Sequence, residues 1–133
     1  MKAVKARVTH GLERGSYLVA CDNSGAKSLF IISFMGITST KGRRQRGGVG
    51  ALVTASVRNG NPEMRKKVVN AVIVRQAKEY RRLDGTRIKF EDNAAVVLKD
   101  DKGNPKGTLI KGPIAKEAAL RWPAVAKIAK LVV

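Results

Sequence analysis

Several residue types on which sites depend are scarce in this chain. Among its 133 residues there are one cysteine, Cys21, and one histidine, His10. A single cysteine forms no internal disulfide, so a reducing compartment is expected, and one histidine with one cysteine does not make a metal site. Neither residue lies beside the partners that a nucleophile or general base needs. We therefore expect no catalytic residue, no metal and no cofactor, with Cys21 a small buried hydrophobe.

Long hydrophobic runs are also missing. No stretch approaches the roughly 18 apolar residues that span a bilayer. The opening residues "MKAVKARVTHGLERGS" carry basic side chains without the apolar stretch of a secretory signal. A soluble protein of the cytoplasm is expected.

The scarcity of acidic residues indicates the class of partner. The chain has 27 lysines and arginines against 10 aspartates and glutamates, a formal net charge of +17. Such an excess opposes folding by self-repulsion and attracts polyanions: nucleic acid, an anionic membrane or acidic proteins. Hydrophobic residues make up 44 % of the chain, which is typical of a protein with a core and excludes a disordered basic tail.

Short β-branched and apolar runs, separated by turn residues, predict a mainly β fold. The predicted strands are 3–8, 16–22, 28–35, 49–57, 68–74, 86–90 and 94–98. From Ala115 the composition changes to one typical of helices, and two short helices broken near Trp122 are expected because Pro123 suits a first helical turn. We predict a single domain over 1–133, with a small barrel over roughly 1–112 and a helical appendage over roughly 113–133.

Basic residues cluster in loops, and this favours nucleic acid over the other polyanions. Residues 39–50, "STKGRRQRGGVG", place cations between glycines, which allow a backbone to approach a phosphate closely. A second group lies over 58–67, and the turn 78–90 is the third. The turn 78–90, "KEYRRLDGTRIKF", holds five cations against two acids. The cations predicted to bind nucleic acid are Lys41, Arg43, Arg44, Arg46, Arg58, Arg65, Lys66, Lys67, Arg75, Lys78, Arg81, Arg82, Arg87 and Lys89.

Aromatic residues, at 5 % of the chain, are few for a protein that grips single strands by stacking. Phe30 and Phe34 lie in apolar runs and are predicted to be core. Tyr80 stands among arginines, where it either stacks on a base or packs against its strand. The expected target is folded, mostly paired RNA or DNA, which is recognised by shape and phosphate positions.

The C-terminal helices are predicted to carry a second surface, for a protein partner. Their bulky residue, Trp122, is of a type enriched both in cores and at protein contacts, so burial and partner contact are equally consistent with it. The residues predicted for this surface are Lys116, Arg121, Trp122 and Lys127.

One family shares the order of these motifs. "AVIV" (71–74), followed by Asp84-Gly85, Phe90, Asn93 and Val96-Val97, resembles the signature of the universal L-fourteen ribosomal proteins of the large subunit. Further blocks similar to that family are 22–27, 47–50, 65–85, 90–98, 106–117 and 120–129. The resemblance covers the chain from Ser16 onward. The ending "RWPAVAKIA" and the turn "KEYRR" resemble the archaeal and eukaryotic branch.

The resemblance implies a closed five-stranded β-barrel with a projecting β-ribbon and short C-terminal helices. It implies a structural, non-enzymatic protein bound to large-subunit ribosomal RNA on the face that meets the small subunit. Further implied partners are small-subunit ribosomal RNA at an inter-subunit bridge, neighbouring large-subunit proteins, and a subunit anti-association factor at the C-terminal helices. The chain departs from the family at Ala51, where an acid is frequent, and over 38–46.

Three other classes of protein are alternatives to a ribosomal RNA-binding protein. An architectural DNA-binding protein has the same charge pattern, and only recognition of the 2′-hydroxyl separates it from an RNA binder. A peripheral membrane protein is disfavoured because the cations lie on loops and strands rather than along one amphipathic helix. An enzyme is the least supported class.

Overall fold

Short strands dominate the structure, and two helices come near the end. The computed structural model describes residues 1–133. The strands are β1 (Ala6–Arg7), β2 (Leu12–Glu13), β3 (Tyr17–Ala20), β4 (Ala26–Phe34), β5 (Arg46–Gly47), β6 (Leu52–Gly60), β7 (Val68–Arg75), β8 (Tyr80–Arg82), β9 (Arg87–Ile88), β10 (Ala94–Leu98), β11 (Pro113–Ile114) and β12 (Leu131–Val132), and the helices are α1 (Lys116–Arg121) and α2 (Pro123–Lys127). The predicted pair of helices broken at Trp122 is confirmed. No helix is long and apolar enough to cross a membrane.

Five strands form a closed barrel in the order β10-β3-β4-β6-β7. Neighbouring strands are antiparallel except β10 and β3, which run parallel. Closure leaves no sheet edge with unpaired backbone groups, and this satisfies the hydrogen-bonding needs of a small all-β domain. The predicted five-stranded barrel is confirmed.

The barrel has a core on each side of β7 and β10. Ala71 and Ile73 belong to the cluster that fills the interior, with Leu18, Leu29 and Val97. Val72 and Val74 face the opposite way, into a second cluster that the C-terminal helices cover. Because both faces of β7 are buried over residues 71–74, the sequence there is a continuous apolar run rather than an alternating one.

Trp122 lies inside this second core. Its side chain is 3 % exposed, and its indole Nε1 donates a hydrogen bond to the carbonyl oxygen of Gly50 at 2.9 Å. A side chain at Gly103, which has a φ of +102°, would stand 2.5 Å from the indole ring. The prediction of Trp122 as a partner-surface residue is therefore wrong: the ring fixes the two helices to the barrel.

Three small sheets lie outside the barrel. The β8–β9 hairpin is extended by β1 into three antiparallel strands, β2 pairs with β5, and β11 pairs with β12 in parallel. The first and second of these sheets carry most of the basic segments.

Replacing Trp122 with phenylalanine keeps a buried ring but removes the donor to the Gly50 carbonyl. The free energy of unfolding should fall by about 1–3 kcal/mol, because a buried acceptor loses its partner. Urea denaturation measures this change. Leu120→Ala, on the exposed side of α1, is the control and should change stability by less than about 0.5 kcal/mol. Equal stability of Trp122→Phe and the unmodified protein would contradict this role.

Candidate nucleic-acid interface

Arg75 is an internal tether and not a surface cation. Its Nε and Nη2 donate to the Asp92 carboxylate at 2.9 and 3.1 Å. Its Nη1 donates to the carbonyl oxygens of Lys111 and Pro113, each at 3.0 Å. The residue is only 8 % exposed. The prediction that Arg75 contacts nucleic acid is thus corrected: Arg75 fastens Asp92 and the start of β11 to the end of β7.

Glu117 of α1 anchors the basic hairpin β8–β9 from inside. Its carboxylate accepts hydrogen bonds from the Tyr80 hydroxyl and from Arg82 Nε, both at 2.7 Å. The side chains of Glu117 and Arg82 are 4 % and 18 % exposed. Burial, then the hydrogen bond and negative charge of Glu117, raise the pKa of Tyr80. Tyr80 is fully buried, which excludes stacking of its ring on a base. The positive charge of Arg82 is neutralised within the protein by Glu117.

Three arginines stand in a row on the sheet formed by β1, β8 and β9, which we call the outer sheet. Arg7 of β1 lies directly opposite Arg81 of β8, which in turn lies opposite Arg87 of β9. Residues paired in this way present their side chains on the same face, and like charges in such positions destabilise a sheet. Only Arg87 has an acidic partner, Glu79 at 3.4 Å. A cavity of about 400 Å³ lies against the three arginines, Val8 and Thr9.

Arg7 is absent from the predicted cations. The sequence feature that indicates Arg7 is the alternation of basic and apolar residues over 3–8, which predicts a strand with one cationic face. The sequence does not reveal that β8 is the partner of that strand.

A second group of cations surrounds the loop between β4 and β5. The four cations of this loop that are predicted to bind nucleic acid are all exposed: Lys41, Arg43, Arg44 and Arg46. Glu13 is their one acidic neighbour, 3.6 Å from Arg44 and 4.0 Å from Arg46. Arg43 and Arg44, together with Arg14, border a groove of about 880 Å³. Arg14 was missed by sequence reasoning because it precedes β3 as a single cation.

Gln45 gives this loop a fixed attachment to the barrel. Its side-chain carbonyl accepts a hydrogen bond from the backbone N–H of Phe34 at 3.0 Å, and its Nε2 donates to the carbonyl of Ile37 at 2.6 Å. The Ser39 hydroxyl closes the loop by donating to the Arg43 carbonyl at 2.7 Å.

A third group lies at the β6–β7 connection. Arg58, Arg65, Lys66 and Lys67 are exposed and form no ion pair. The backbone N–H of Lys66 donates to the Val57 carbonyl at 2.9 Å, which holds the connection against the strand end. Lys78 and Lys89, which flank the β8–β9 hairpin, are likewise exposed and without ion pairs.

The side chain of Gln76 joins three of the basic segments. It is completely buried, and its Nε2 donates to the carbonyls of Thr9 and Lys78 at 3.0 and 2.8 Å. Its Oε1 accepts from the backbone N–H of Val49 at 2.9 Å. A Cβ on Gly48 would lie 2.4 Å from that oxygen, so this glycine has to stay a glycine. Gln76 thus fixes three segments relative to one another: the opening segment at Thr9, the glycine loop at Val49 and the start of the turn at Lys78.

Few acidic residues balance the exposed cations. Only Glu13, Glu79, Asp92 and Glu117 form ion pairs, and the last two pair with the inner arginines. Asp22 is buried, where desolvation raises the pKa of its carboxyl, and it caps the Val97 N–H. The backbone N–H of Thr86 donates to Asp84 and lowers the pKa of its carboxyl. The side-chain amide of Asn104, and then its backbone N–H, donate to Asp100 and lower the pKa of that carboxyl. Most surface cations therefore face water without a counter-charge.

Cys21 has the environment of an inert thiol. Burial raises the pKa of Cys21 to about 11, so the reactive thiolate is rare at neutral pH. Its Sγ donates weakly to the Ala95 carbonyl at 3.5 Å. The structure contains no group of three or more histidine, cysteine or acidic side chains placed to hold a metal ion.

The fold and the charge together define a class of protein. A closed barrel with a rigid interior holds basic segments on its outside, and most of the cations on those segments lack acidic partners within the chain. This arrangement is typical of a β-barrel protein that binds nucleic acid.

The family model described as ribosomal protein L14p/L23e matches residues 11–133. The chain is 52 % identical over 132 residues to the large ribosomal subunit protein uL14 of Methanococcus maripaludis strain C7, covering 99 % of each chain. It is 53 % identical over 133 residues to the protein of the same name from Nanoarchaeum equitans, covering all of both chains. The corresponding protein of Halobacterium salinarum is 52 % identical, again over the full length of both.

This chain belongs to the ribosomal protein L14p/L23e family. The predicted resemblance is confirmed, and the archaeal relatives agree with the predicted branch. The family is one of structural proteins and not of enzymes.

Glu117→Gln removes the charge that Arg82 and Tyr80 share while keeping the shape of the side chain. The free energy of unfolding should fall by roughly 2–4 kcal/mol, because a mostly buried guanidinium loses its counter-charge. Glu79→Gln is the matched control: it breaks the exposed pair with Arg87 and should cost about 0–1 kcal/mol. Chemical denaturation of both variants measures the difference. Equal losses would show that Glu117 is no internal anchor.

Proposed function

We propose that this protein is a structural constituent of the large ribosomal subunit and binds large-subunit ribosomal RNA through its exposed cations. The names of its relatives, all large ribosomal subunit proteins, support the ribosomal assignment. The observation that carries the RNA contact is the row Arg7, Arg81 and Arg87, three like charges held side by side on a sheet with one acidic partner among them.

The geometry of this row suits phosphate groups. Adjacent strands lie about 4.8 Å apart, so the three guanidinium groups spread over roughly 10 Å. A guanidinium matches two phosphate oxygens at once, and a negatively charged backbone removes the repulsion between neighbouring arginines. The same reasoning extends to the other exposed cations predicted from the sequence, with Arg7 and Arg14 added and Arg75 and Arg82 removed.

We further propose that some of these cations meet small-subunit ribosomal RNA at the subunit interface. The free cations lie on three separate parts of the chain: the β4–β5 loop, the β6–β7 connection and the outer sheet. Cations on separate segments allow one small protein to contact two RNA molecules. Only the family resemblance supports the choice of the small subunit as the second RNA.

The C-terminal helices supply the proposed surface for proteins, which are neighbouring large-subunit proteins and a subunit anti-association factor. Lys116, Leu120 and Lys127 are exposed. Arg121 is partly buried, its Nε lacks a hydrogen-bond partner, and burial lowers its pKa. A helix pair that carries an incompletely satisfied cation and also presents exposed apolar and basic side chains is suited to an acidic protein partner.

Two variants with the same change in charge test this assignment. Arg81→Gln with Arg87→Gln should weaken binding to a large-subunit ribosomal RNA fragment at least roughly tenfold, because charge-assisted hydrogen bonds to phosphates are lost. Lys116→Gln with Lys127→Gln should change RNA affinity less than about threefold but weaken docking of an anti-association factor on assembled subunits. Filter binding at one fixed salt concentration gives the RNA affinities.

Thermal unfolding of the same variants is the control for folding. The Arg81/Arg87 variant should be as stable as the unmodified protein or slightly more stable, because like-charge repulsion across the sheet is relieved. Unchanged RNA affinity in that variant would mean that the row faces water. Equal losses of RNA affinity in both variants would place the helices on the RNA face and contradict the division into two surfaces.

A further inference from the structure

An aromatic and apolar row crosses the outside of the barrel. Tyr17 of β3 lies opposite Phe30 of β4, Phe30 opposite Ser56 of β6, and Ser56 opposite Val68 of β7. Tyr17 and Val68, at the two ends, are 60 % and 63 % exposed. The prediction that Phe30 belongs to the core is wrong, because strand alternation sends Leu29 and Ile31 inward and Phe30 outward.

The aromatic end of this row is organised by direct contacts. The Tyr17 and Phe30 rings meet edge to face, with centroids 5.3 Å apart and planes at 66°. The Arg58 guanidinium carbon lies 4.7 Å from the centroid of the Phe30 ring. Phe30 is thus held between a ring and a cation, while most of Tyr17 is open to solvent. Both rings stand on barrel strands, so their positions are fixed before any ligand arrives.

Cations border the aromatic pair. Phe30 and Ile32 form one wall of the groove that Arg14, Arg43 and Arg44 also line. An aromatic face next to a positively charged groove is the arrangement by which proteins bind an unpaired nucleotide: the base stacks, and its phosphates lie along the groove. The absence of acidic residues from the groove lining favours a nucleic acid over a basic protein as the occupant.

We propose that Tyr17 and Phe30 form a stacking platform for an unpaired base of RNA, whose flanking phosphates lie along the groove of Arg14, Arg43 and Arg44. The inference rests on the proposed RNA binding and narrows it to a class of ligand: a bulged or looped nucleotide next to a paired region. In this proposal Tyr17, rather than the buried Tyr80, is the tyrosine that stacks on a base.

Two RNA hairpins with the same stem provide the test, one fully paired and one with a single unpaired adenine. Stacking is tolerant of sequence, so a generic bulge is a valid probe. Tyr17→Ala should weaken binding of the bulged hairpin roughly 5- to 150-fold, the range for loss of one base–aromatic stack, and leave the paired hairpin unaffected. Tyr17→Phe should bind both hairpins like the unmodified protein, because the ring is kept.

A second variant reports the stack directly. Tyr17→Trp places an indole on the exposed platform, while the natural Trp122 stays buried. Its fluorescence should be quenched by the bulged hairpin much more than by the paired one. Equal quenching by both hairpins would overturn the proposal.

The outcomes separate this inference from the broader one. If Tyr17→Ala binds the bulged hairpin normally while Arg43→Gln with Arg44→Gln binds both hairpins weakly, the stack is wrong and RNA binding stands. If the arginine variant also binds normally, the proposed RNA contact of this groove fails. If Tyr17→Ala has normal RNA affinity but is washed more easily from large subunits, the platform meets a protein, which also overturns the proposal.

Discussion

The hydrogen bonds of the Gln76 side-chain amide hold three basic segments of the chain in their relative positions. Its hydrogen bonds reach Thr9 in the opening segment, Val49 in the glycine loop and Lys78 at the start of the hairpin. Segments rich in cations repel one another, and a neutral, fully buried amide joins them without adding charge. Gln76 directly follows β7, so the barrel fixes its position. The positions of the cations are therefore set by the fold before any polyanion is bound.

The chain uses its arginines in two ways. Arg75 and Arg82 lie largely inside, where carboxylates pair with them. Arg75 fastens Asp92 to the end of β7, and Arg82 joins the β8–β9 hairpin to α1. Arg7, Arg81 and their exposed counterparts have almost no acidic partners, and they carry the excess of a net charge of +17. Self-repulsion of these cations costs stability in the free protein. That cost is understandable if ribosomal RNA provides the missing negative charge.

The barrel and the two helices were predictable because they follow from local periodicity, turn residues and Pro123. Single side chains were harder. Asp92 and Glu117, which take Arg75 and Arg82 out of the surface, lie 17 and 35 residues further along the chain, so no local pattern reveals the pairs. Phe30, expected in the core, lies half-buried on the outside of the barrel, and of the two alternatives for Tyr80 the buried one is found. Strand register and packing against α1, rather than the neighbouring residues in sequence, decide where each ring lies. The row from Arg7 to Arg87 likewise exists only through the register of β1, β8 and β9.

The steepness with which RNA affinity falls with salt shows whether the exposed cations bind phosphates. In the proposed complex these cations neutralise phosphates and release the counterions of the RNA. If they neutralise on the order of 6–10 phosphates, affinity for a large-subunit ribosomal RNA fragment should fall roughly 10³- to 10⁵-fold between about 50 and 200 mM salt. A fall of less than about tenfold over that range would mean that these cations mostly face water in the complex, and it would contradict the account.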